Sequence, residues 1–562
     1  MSAEAGVRLQ PDASRYTWGC FIEDVAARHG DRPVMRFEGR DISAAELLSD
    51  ARRVAKSLAA IGVGKGMRVG LHMANRPEFA VASFAAAMLG AVLAPVNTFA
   101  TKDEREYIFR HSDAAVLLFQ RKLLKHDFLE DLLEIVPGFA GAGPVRDPKT
   151  PQLRHAVALG LDEARGAVQP WEDFLRLGED FPDEVLDAMI AEVYPGDDGL
   201  IIYTSGTTSR PKGVLHMQRA PVIQSWLLAD ELRFTPQDRV WTTYPFFWSA
   251  GICMALGATI AAGATLVLQE TFEPGAALQL IADERANATQ AWPHQAKAMS
   301  EHPLYPTLDL SHIDKEVYRL NQSAPRFDTW GTQGSFGMTE TFTFVANLPA
   351  DSPAELRQNT SGLPRSGMSV RILDPETGAP LPVGEEGEIA VKGLLLMRGY
   401  YKVEPEAVFD EDGYYHSADG GYLDEEGYVH WKGRMSNIIK TGGANVSPTE
   451  IEETLLSFPN MRAGIPFGAP HPTLGEAIVL CAVAMEGCEL DREQIMGHLK
   501  ERLAAYKLPK KILMFSESDL EFTGNQKIQT AKLVDKAMAR LRDEAVEIDG
   551  VNYADYLVET PS

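Results

Sequence analysis

The sequence predicts an α/β protein built from more than one domain, and three observations support this prediction. The chain has 562 residues, more than one compact core normally holds, so at least two domains are expected. Short apolar runs at 69–73, 115–119 and 199–203 are bounded by turn residues, as buried strands are. These runs alternate with helical patterns, which is typical of a largely parallel sheet with helices on its faces.

One helix begins at a recognisable signal. Ser43 and Glu46 have the spacing of a capping box, in which each side chain accepts a hydrogen bond from a backbone N–H of the first helical turn. An amphipathic pattern follows to about Ala60, and Gly62 ends it. The segment therefore predicts a helix that precedes the first buried strand.

The sequence changes in character in its last third. Runs at 370–373 and 388–392, separated by Gly-containing turns, predict strands of a small β-rich subdomain. After Gly433 and Arg434 a compact α/β pattern follows, with its last helix predicted near 532–544. We predict a large N-terminal domain of helix-flanked sheets at 1–434, its β-rich subdomain at about 369–433, and a small α/β C-terminal domain at 435–562.

The charge balance excludes one class of partner. Lys and Arg total 54 against 79 Asp and Glu, a net charge of −25. A nucleic-acid-binding surface needs a basic face to neutralise phosphates, so no nucleic-acid partner is expected. An anionic substrate would need a local cluster of donors, because the overall field repels it.

Cysteine usage and the N-terminus both indicate a cytoplasmic location. The four cysteines form no CxxC pair and are too sparse for a disulfide framework, which fits a reducing compartment. Residues 1–16 lack a basic stretch followed by an apolar core, so no secretory signal is expected.

One segment is long enough to be considered as a membrane span. Residues 248–268 carry no charged side chain. Three glycines interrupt the run, and no basic cluster flanks it. We predict a buried helix, a turn at Gly263 and a strand at 264–268 instead, with no transmembrane segment.

The most informative segment follows the strand at 199–203. The sequence Tyr203-Thr-Ser-Gly-Thr-Thr-Ser-Arg-Pro-Lys-Gly213 places five hydroxyls and one glycine between Thr204 and Ser209, and Lys212 adds a positive charge. Hydroxyls and backbone N–H groups in a tight loop can hold a polyphosphate. It is not a Walker A loop, since Lys212 is followed by Gly213. A polar surface turn is the alternative, because the same residue types dominate turns.

Five motifs in order resemble those of the adenylate-forming (ANL) superfamily, which includes acyl-CoA synthetases such as fatty-acid–CoA ligases, adenylation domains of peptide synthetases, and beetle luciferases. The resemblance extends from about residue 17 to 540. The motifs are the 203–213 loop, Phe336-Gly-Met-Thr-Glu340, Ser417-Ala-Asp419 with Gly433-Arg434, the segment 440–451, and Lys527 within 523–528.

The resemblance implies how ATP and Mg²⁺ would be held. Glu340 and the Thr204 hydroxyl would be the Mg²⁺ ligands, since hard oxygen donors are used alongside phosphate oxygens. Thr339 would donate its hydroxyl to the α-phosphate. Phe336 stands where the family usually has Tyr, and its ring would lie beside the adenine.

The ribose would be bound by the third motif. Asp419 would accept from both ribose hydroxyls and Arg434 would donate to the ribose. Solvated surface charge is the alternative for Asp419 as for Glu340. The full set of ATP- or AMP-binding residues implied by the resemblance is Thr204, Ser205, Gly206, Thr207, Thr208, Lys212, Ser335, Phe336, Gly337, Thr339, Asp419, Arg434 and Lys527.

The C-terminal motifs imply a mobile domain. Lys527 would join Glu340 and Thr339 as a catalytic residue by neutralising charge on the carboxylate and the α-phosphate. Gln526 precedes it where the family has Gly. In the resembled enzymes the small domain rotates after adenylation, and the hinge falls here on Ser436, where the family often has Asp. The coenzyme A channel would be formed by Lys440, Gly442 and Gly443.

The acyl pocket implied by the resemblance is aromatic and apolar. Its residues would be Phe247, Trp248, Gly251, Trp292 and His294, although His294 could equally be a packed histidine. No fixed cation for a second carboxylate is evident, so a hydrophobic monocarboxylic acid, fatty or ring-bearing, is expected. Only ten residues, 326–335, separate the segment 321–325 from Phe336, about half the family's usual distance, so the chain length of the acid is not predicted.

The resulting prediction is an ATP-dependent, AMP-forming ligase that makes an acyl-adenylate and transfers the acyl group to coenzyme A. Its partners would be a small carboxylic acid, ATP and coenzyme A, and a homodimer is left open. Two alternatives stay open: an adenylate-forming enzyme that passes the acyl group to a carrier protein or another acceptor, and a non-catalytic ligand-binding relative.

Overall fold

The computed structural model describes residues 12–204, 210–316, 330–435, 439–441, 444–503, 505–522 and 528–559, without the side chains of 293–294, 440, 444–445 and 557–559.

The helices of these ranges are α1 Trp18–His29, α2 Ala44–Ala60, α3 Pro77–Met88, α4 Lys102–His111, α5 Phe128–Ile135, α6 Trp171–Arg176, α7 Asp183–Ala191, α8 Arg219–Glu231, α9 Ala258–Ala261, α10 Pro274–Asp283, α11 Pro293–Ser300, α12 Ala354–Asn359, α13 Pro448–Leu455, α14 Arg492–Lys500, α15 Thr530–Asp543 and α16 Tyr553–Glu559. A π-helix spans Gly251–Gly257 and leads directly into α9.

The strands are β1 Pro33–Phe37, β2 Arg40–Ser43, β3 Arg68–His72, β4 Val92–Pro95, β5 Ala114–Gln120, β6 Lys122–Leu123, β7 His126–Asp127, β8 His155–Leu159, β9 Val168–Pro170, β10 Asp198–Thr204, β11 Lys212–Met217, β12 Arg239–Thr242, β13 Thr265–Val267, β14 Ala288–Gln290, β15 Lys315–Glu316, β16 Phe336–Met338, β17 Thr343–Asn347, β18 Leu363–Pro364, β19 Met368–Leu373, β20 Gly387–Gly393, β21 Gly399–Tyr400, β22 Tyr415–Leu423, β23 Val429–Arg434, β24 Ile439–Thr441, β25 Ala444–Val446, β26 Met461–His471, β27 Gly475–Ala484, β28 Lys511–Phe515, β29 Glu547–Ile548 and β30 Val551–Asn552.

The described residues form two compact units. The first consists of Met1–Val370, Val391–Tyr415 and Gly427–Val429, and the second of Arg371–Ala390, His416–Glu426 and His430–Ser562. Most of the predicted β-rich subdomain therefore groups with the C-terminal segment, whereas the boundary at 434/435 stays a prediction.

Two large sheets organise the first unit. An eight-stranded sheet has the order β21-β11-β10-β4-β3-β5-β8-β9, and from β10 to β9 its strands run parallel. A six-stranded sheet has the order β15-β14-β12-β13-β1-β2 and is parallel except for β2. The largest core cluster lies between these elements and includes the mutually contacting rings of Trp18, Phe21, Phe84 and Trp226.

The second unit contains two larger sheets, β19-β20-β22-β23 and β25-β24-β27-β26 with β28 on β27. Strand β27 shows the period-two alternation of a strand buried on both faces. Val479 and Cys481 lie in one core cluster with α15, and Ile478 and Leu480 lie in another with α13 and α14.

Most of the predicted elements are confirmed. The strands predicted at 69–73, 115–119, 199–203, 370–373 and 388–392 are β3, β5, β10, β19 and β20. Helix α2 begins at the predicted residue, with the Ser43 side chain accepting from the N–H of Glu46 at 3.1 Å. The Glu46 carboxylate pairs with Arg40, so only the Ser43 half of the predicted capping box is formed. The prediction that the chain's last helix lies near 532–544 is wrong. That helix is α15, but α16 follows it, anchored by the buried Tyr553 ring, whose hydroxyl donates to the Pro470 carbonyl at 2.9 Å.

The uncharged run 248–268 is buried, as expected, with Gly263 at a positive φ of 71° before β13. Its first helical part is a π-helix rather than the expected ordinary helix. Two glycines explain the close packing there: a Cβ on Gly251 would lie 1.9 Å from the Pro245 carbonyl oxygen, and one on Gly257 would lie 1.9 Å from Ser225 Oγ. In the described part of the chain, no helix combines the length and the apolar character needed to cross a membrane.

Candidate active site

The predicted phosphate loop connects two strands of the eight-stranded sheet. Thr204 ends β10 and Lys212 begins β11, and the two residues are register partners in this antiparallel pair. The Lys212 ammonium lies 4.8 Å from the centre of the Tyr400 ring on the adjacent strand β21. The loop residues Ser205, Gly206, Thr207 and Thr208 lie outside the described residues.

The base of this loop is held by a cluster of aromatic and charged side chains. The hydroxyl of the partly buried Tyr203 lies 3.0 Å from Nδ1 of His111, and the two rings meet edge to face. Tyr401 donates its hydroxyl to Asp113 at 2.8 Å, and Lys402 pairs with the same carboxylate at 2.9 Å. Burial raises the pKa of Tyr203 and lowers the pKa of His111, so both groups are neutral near pH 7.

The motif 336–340 forms strand β16 and the short 3₁₀ turn after it, and Ser335 directly precedes the strand. Phe336 is buried. A Cβ on Gly337 would lie 1.6 Å from the carbonyl oxygen of Thr343 on β17, so only glycine fits this approach of two backbones. Thr339 presents its carbonyl to Nε2 of the buried His216 at 2.8 Å. Burial lowers the pKa of His216 to about 4, so the ring donates as a neutral imidazole.

The carboxylate of Glu340 lies next to two tyrosine hydroxyls of the same unit. Tyr400 donates to Glu340 Oε1 at 2.7 Å, and the Tyr415 hydroxyl lies 2.9 Å from that of Tyr400 and 3.5 Å from Oε1. Burial, and after it the negative charge of Glu340, raises the pKa of Tyr400. The backbone is fixed as well, since the N–H of Met397 donates to the Glu340 carbonyl at 2.7 Å.

The backbone after Glu340 is strained and is held by buried polar groups. Phe342 and Thr343 have φ values of 50° and 106°, which residues with a side chain rarely adopt. The side-chain amide of Gln224 on α8 donates to the carbonyls on either side of this pair, Thr341 at 3.1 Å and Phe344 at 2.8 Å. These two hydrogen bonds from Gln224 therefore fix the turn that carries Thr339 and Glu340.

The Gln224 amide is oriented in turn by a buried ion pair. Arg365 donates to Gln224 Oε1 and to the carboxylate of Glu231. Asn347 donates to the same Glu231 carboxylate at 2.6 Å. Burial dominates both members of the pair: it raises the pKa of Glu231 and lowers the pKa of Arg365.

The predicted acyl-pocket residues form a row of neighbouring rings. Trp248 contacts Phe247 and Trp292 edge-on, at centroid distances of 5.3 and 6.3 Å. The row extends through Tyr244 on one side and Phe99 on the other, at 4.7 Å from Trp292 and 5.6 Å from Phe247. Gly251 begins the π-helix that follows this segment. His294 lies in α11, and its side chain is outside the described residues.

The loop that carries these rings is fixed by Asn75. Its side-chain amide donates to the Tyr244 carbonyl at 2.9 Å, and its side-chain oxygen accepts from the N–H of Phe246 at 2.8 Å. Asn75 is buried, so this pair of hydrogen bonds is shielded from water.

The predicted ribose-binding residues meet within the second unit. Asp419 is 4% exposed, and its Oδ1 accepts from the Trp431 indole at 3.1 Å and lies 3.3 Å from Arg434 Nε. Arg434 also donates to the Ser417 carbonyl at 2.7 Å. The Ser417 hydroxyl accepts from the N–H of Asp419 at 3.0 Å and donates to Ile389 at 2.6 Å. Asp419 is thus a fixed acceptor beside a half-exposed guanidinium.

The side chains of the remaining predicted residues lie outside the described part of the chain. The catalytic candidate Lys527, the hinge residue Ser436, and Gly442 and Gly443 of the predicted thiol channel lie outside the described residues. Lys440 lies in β24, but its side chain is not described.

The sequence did not predict several residues of the site. Tyr400, Tyr415 and Trp431 contact the predicted residues directly, and Gln224 and Asn75 hold their backbone. The repeated Gly-Tyr-Tyr runs at 399–401 and 413–415 were the available signal for the tyrosines. A buried amide such as Gln224 or Asn75 leaves no such pattern.

Comparison with known proteins identifies the family. Residues 22–401 match the model of the AMP-binding enzyme family, and residues 450–527 match that of the AMP-binding enzyme C-terminal domain. Feruloyl-CoA synthase of Amycolatopsis sp is 30% identical over 515 residues, which cover 90% of this chain and 94% of that protein. Crotonobetaine/carnitine–CoA ligase of Salmonella choleraesuis is 28% identical, over 87% of this chain and 93% of the ligase.

A solved structure has the same fold as this chain. MatB from Rhodopseudomonas palustris, crystallised with ATP bound, superimposes with a TM-score of 0.71 at 26% identity, over 92% of this chain and 99% of MatB. The family model alone spans well over half of the chain. The chain therefore belongs to the AMP-binding enzyme family.

Proposed function

We propose that the protein is an ATP-dependent, AMP-forming acyl-CoA ligase that activates a hydrophobic monocarboxylic acid as its acyl-adenylate and transfers the acyl group to coenzyme A. One observation carries the proposal beyond family membership. The Lys212 ammonium lies over the ring of Tyr400, and the hydroxyl of the same side chain donates to the Glu340 carboxylate. A phosphate-binding cation and a metal-binding carboxylate are thereby held at a fixed spacing.

The donors of the first unit suit a Mg²⁺-bound nucleotide. Glu340 supplies a hard carboxylate oxygen, and Thr204 supplies a hydroxyl at the end of β10. In the described residues, no group of three or more His, Cys, Asp or Glu side chains could hold a metal ion alone. Mg²⁺ is commonly bound by one or two carboxylates together with substrate phosphates, so the residues present fit this ion. When bound, Mg²⁺ would neutralise charge on the phosphate oxygens.

The protein's own groups would then bind and orient the nucleotide. Lys212 and the loop hydroxyls would hold the phosphates, and Thr339 would donate to the α-phosphate. The pre-formed geometry of Asp419 and Arg434 supports ribose recognition, since Asp419 accepts and Arg434 donates. Phe336 is buried at the start of β16, which suits a ring placed beside the adenine.

The acid would bind against the aromatic row. Phe247, Trp248 and Trp292 provide apolar surface, and no ion pair of the described residues involves this segment. The carboxylate would attack the α-phosphorus and displace pyrophosphate, with Lys527 neutralising charge in the transition state. The thiol of coenzyme A would then attack the acyl carbon and release AMP. Lys440, Gly442 and Gly443 are assigned to its channel, Ser436 to the hinge, and 435–562 to a mobile domain.

The products test this proposal. We expect phosphorus NMR of a mixture with ATP, Mg²⁺, coenzyme A and an acid library to show AMP and pyrophosphate, together with an acyl-CoA by mass spectrometry. ADP and orthophosphate as products would contradict attack at the α-phosphorus. AMP and pyrophosphate without any acyl-CoA would support adenylation but contradict coenzyme A as the acceptor.

A further inference from the structure

We propose that Tyr400 and Tyr415 are positioning residues that hold the Glu340 carboxylate by one oxygen, Oε1, and present its other oxygen, Oε2, to the cation. The proposal rests on the proposed function, which assigns Glu340 to Mg²⁺.

The hydrogen-bond directions follow from the number of protons. Each tyrosine hydroxyl has one proton to donate. Tyr400 lies 2.7 Å from Glu340 Oε1, and since the carboxylate can only accept, the Tyr400 hydroxyl donates to it. In the 2.9 Å contact between the two hydroxyls, Tyr415 must therefore be the donor, since its own distance to Oε1 is 3.5 Å. The result is a directed chain from Tyr415 through Tyr400 to Glu340.

The backbone also fixes Tyr400 relative to Glu340. Tyr400 lies in β21, where it is the register partner of Val214 on β11. Three residues earlier, Met397 donates its N–H to the Glu340 carbonyl at 2.7 Å. One short segment thus holds both the main chain and the side chain of Glu340, which restricts the carboxylate to one orientation.

The position of Lys212 adds an electrostatic component. Its ammonium lies 4.8 Å from the centre of the Tyr400 ring, within the range of a cation–π interaction. A cation over the ring withdraws electron density from the phenol and makes its hydroxyl a stronger donor to Glu340. Tyr400 therefore couples the phosphate-loop lysine to the carboxylate, and its hydroxyl is needed for metal affinity rather than for packing.

Substitution by phenylalanine separates the hydroxyl from the ring, because Tyr400→Phe keeps the ring beneath Lys212. Tyr414, the residue before Tyr415, offers a matched control, because its hydroxyl also forms a hydrogen bond, with the Ser369 hydroxyl at 2.8 Å. Tyr414→Phe thus removes a buried tyrosine hydroxyl without touching Glu340 or the phosphate loop.

The experiment measures metal binding without turnover. Mn²⁺ is titrated into the full-length protein with an ATP analogue that carries a methylene bridge between the α- and β-phosphates, and free Mn²⁺ is followed by electron paramagnetic resonance. We expect Tyr400→Phe to raise the Mn²⁺ dissociation constant by about 10- to 100-fold, as loss of a group that orients a metal ligand does. Tyr415→Phe should raise it less, and Tyr414→Phe should leave it at the wild-type value.

Two results would overturn the proposal: a wild-type dissociation constant for Tyr400→Phe, or an equal rise for Tyr414→Phe. If circular dichroism shows that Tyr400→Phe is misfolded, Tyr415→Phe decides in its place, and an unchanged constant contradicts the chain of hydroxyls. Glu340→Gln tests the underlying assignment separately. If it binds Mn²⁺ as well as wild type, the proposed function of Glu340 fails, whereas a loss in Glu340→Gln but not in Tyr400→Phe refutes only this inference.

Discussion

Replacing Arg365 by leucine is expected to destabilise the first unit by about 3–5 kcal/mol, the usual cost of removing one member of a buried ion pair. The Arg365 side chain is 2% exposed and that of its partner Glu231 is 16% exposed. Without the guanidinium, the Glu231 carboxylate keeps only neutral donors such as Asn347, which donates at 2.6 Å. Gln224 Oε1 also loses its donor, so the amide that clamps the backbone after Glu340 becomes less well oriented.

The loss should depend on pH, and its sign follows from the pKa of Glu231. Burial raises this pKa above its usual value near 4.5 even beside Arg365. A raised pKa in the folded state means that folding costs more once the carboxyl ionises, as the pH increases above that usual value. The cost is larger in Arg365→Leu because no cation offsets it. The difference in free energy of unfolding between wild type and variant should therefore grow from pH 5 to pH 8.

Urea unfolding followed by tryptophan fluorescence measures this difference, and a double-mutant cycle isolates the ion pair. Arg365→Leu with Glu231→Gln removes both charges and keeps an acceptor for Asn347, so it should recover more than half of the loss. The exposed pair Arg233–Asp351, at 3.0 Å, provides the control, and Arg233→Leu should cost no more than about 1 kcal/mol. Two results would refute the reasoning. One is a double variant whose loss of unfolding free energy equals the sum of the losses in the two single variants, and the other is a loss in Arg365→Leu that is the same at pH 5 and pH 8.

Three further predictions concern the predicted site residues. Asp419→Ala removes the acceptor held by Trp431 and Arg434. Loss of charge-assisted hydrogen bonds to the ribose costs roughly 1.5–3 kcal/mol, so steady-state kinetics should show a rise of about 10- to 100-fold in the KM for ATP. The KM for the acid should stay nearly unchanged. Lys527→Ala should slow adenylate formation by about 10²–10³-fold but leave thioester formation from pre-made acyl-adenylate unchanged. Quenched single-turnover assays measure the rate of each step, and an equal loss of rate in both steps would contradict domain rotation. Gly337→Ala places a Cβ 1.6 Å from the neighbouring carbonyl oxygen, so hydrogen exchange of peptides spanning 336–347 should accelerate and adenylation should be lost.

The sequence predicted best where the information is local. The strands β3, β5 and β10 are short apolar runs between turn residues, and this pattern arises directly from burial on both faces of a parallel sheet. The start of α2 was predictable because the Ser43 cap lies three residues from the N–H that it accepts. The phosphate loop could be proposed for the same reason, since its hydroxyls and Lys212 lie close together in the chain, and it stays a prediction.

What the sequence did not predict depends on contacts between distant segments. Tyr400 lies 60 residues from Glu340 in the chain, and Gln224 lies 117 residues from Thr341. Neither contact has a spacing or a periodicity that local patterns could reveal. The π-helix at Gly251–Gly257 is a similar case, because its glycines are explained only by the Pro245 carbonyl and the Ser225 hydroxyl that approach them.

These distant contacts explain how the Thr339–Glu340 turn keeps its shape despite two successive residues at positive φ. Strained backbone persists only where the surroundings determine it more strongly than the local preference does. Here His216 donates to the Thr339 carbonyl at 2.8 Å, and Met397 donates to the Glu340 carbonyl at 2.7 Å. Gln224 donates to the Thr341 carbonyl at 3.1 Å. The motif supplies the chemical groups, whereas three segments outside it supply the geometry, so a chain could keep the motif intact and still lose activity through Gln224 or Arg365.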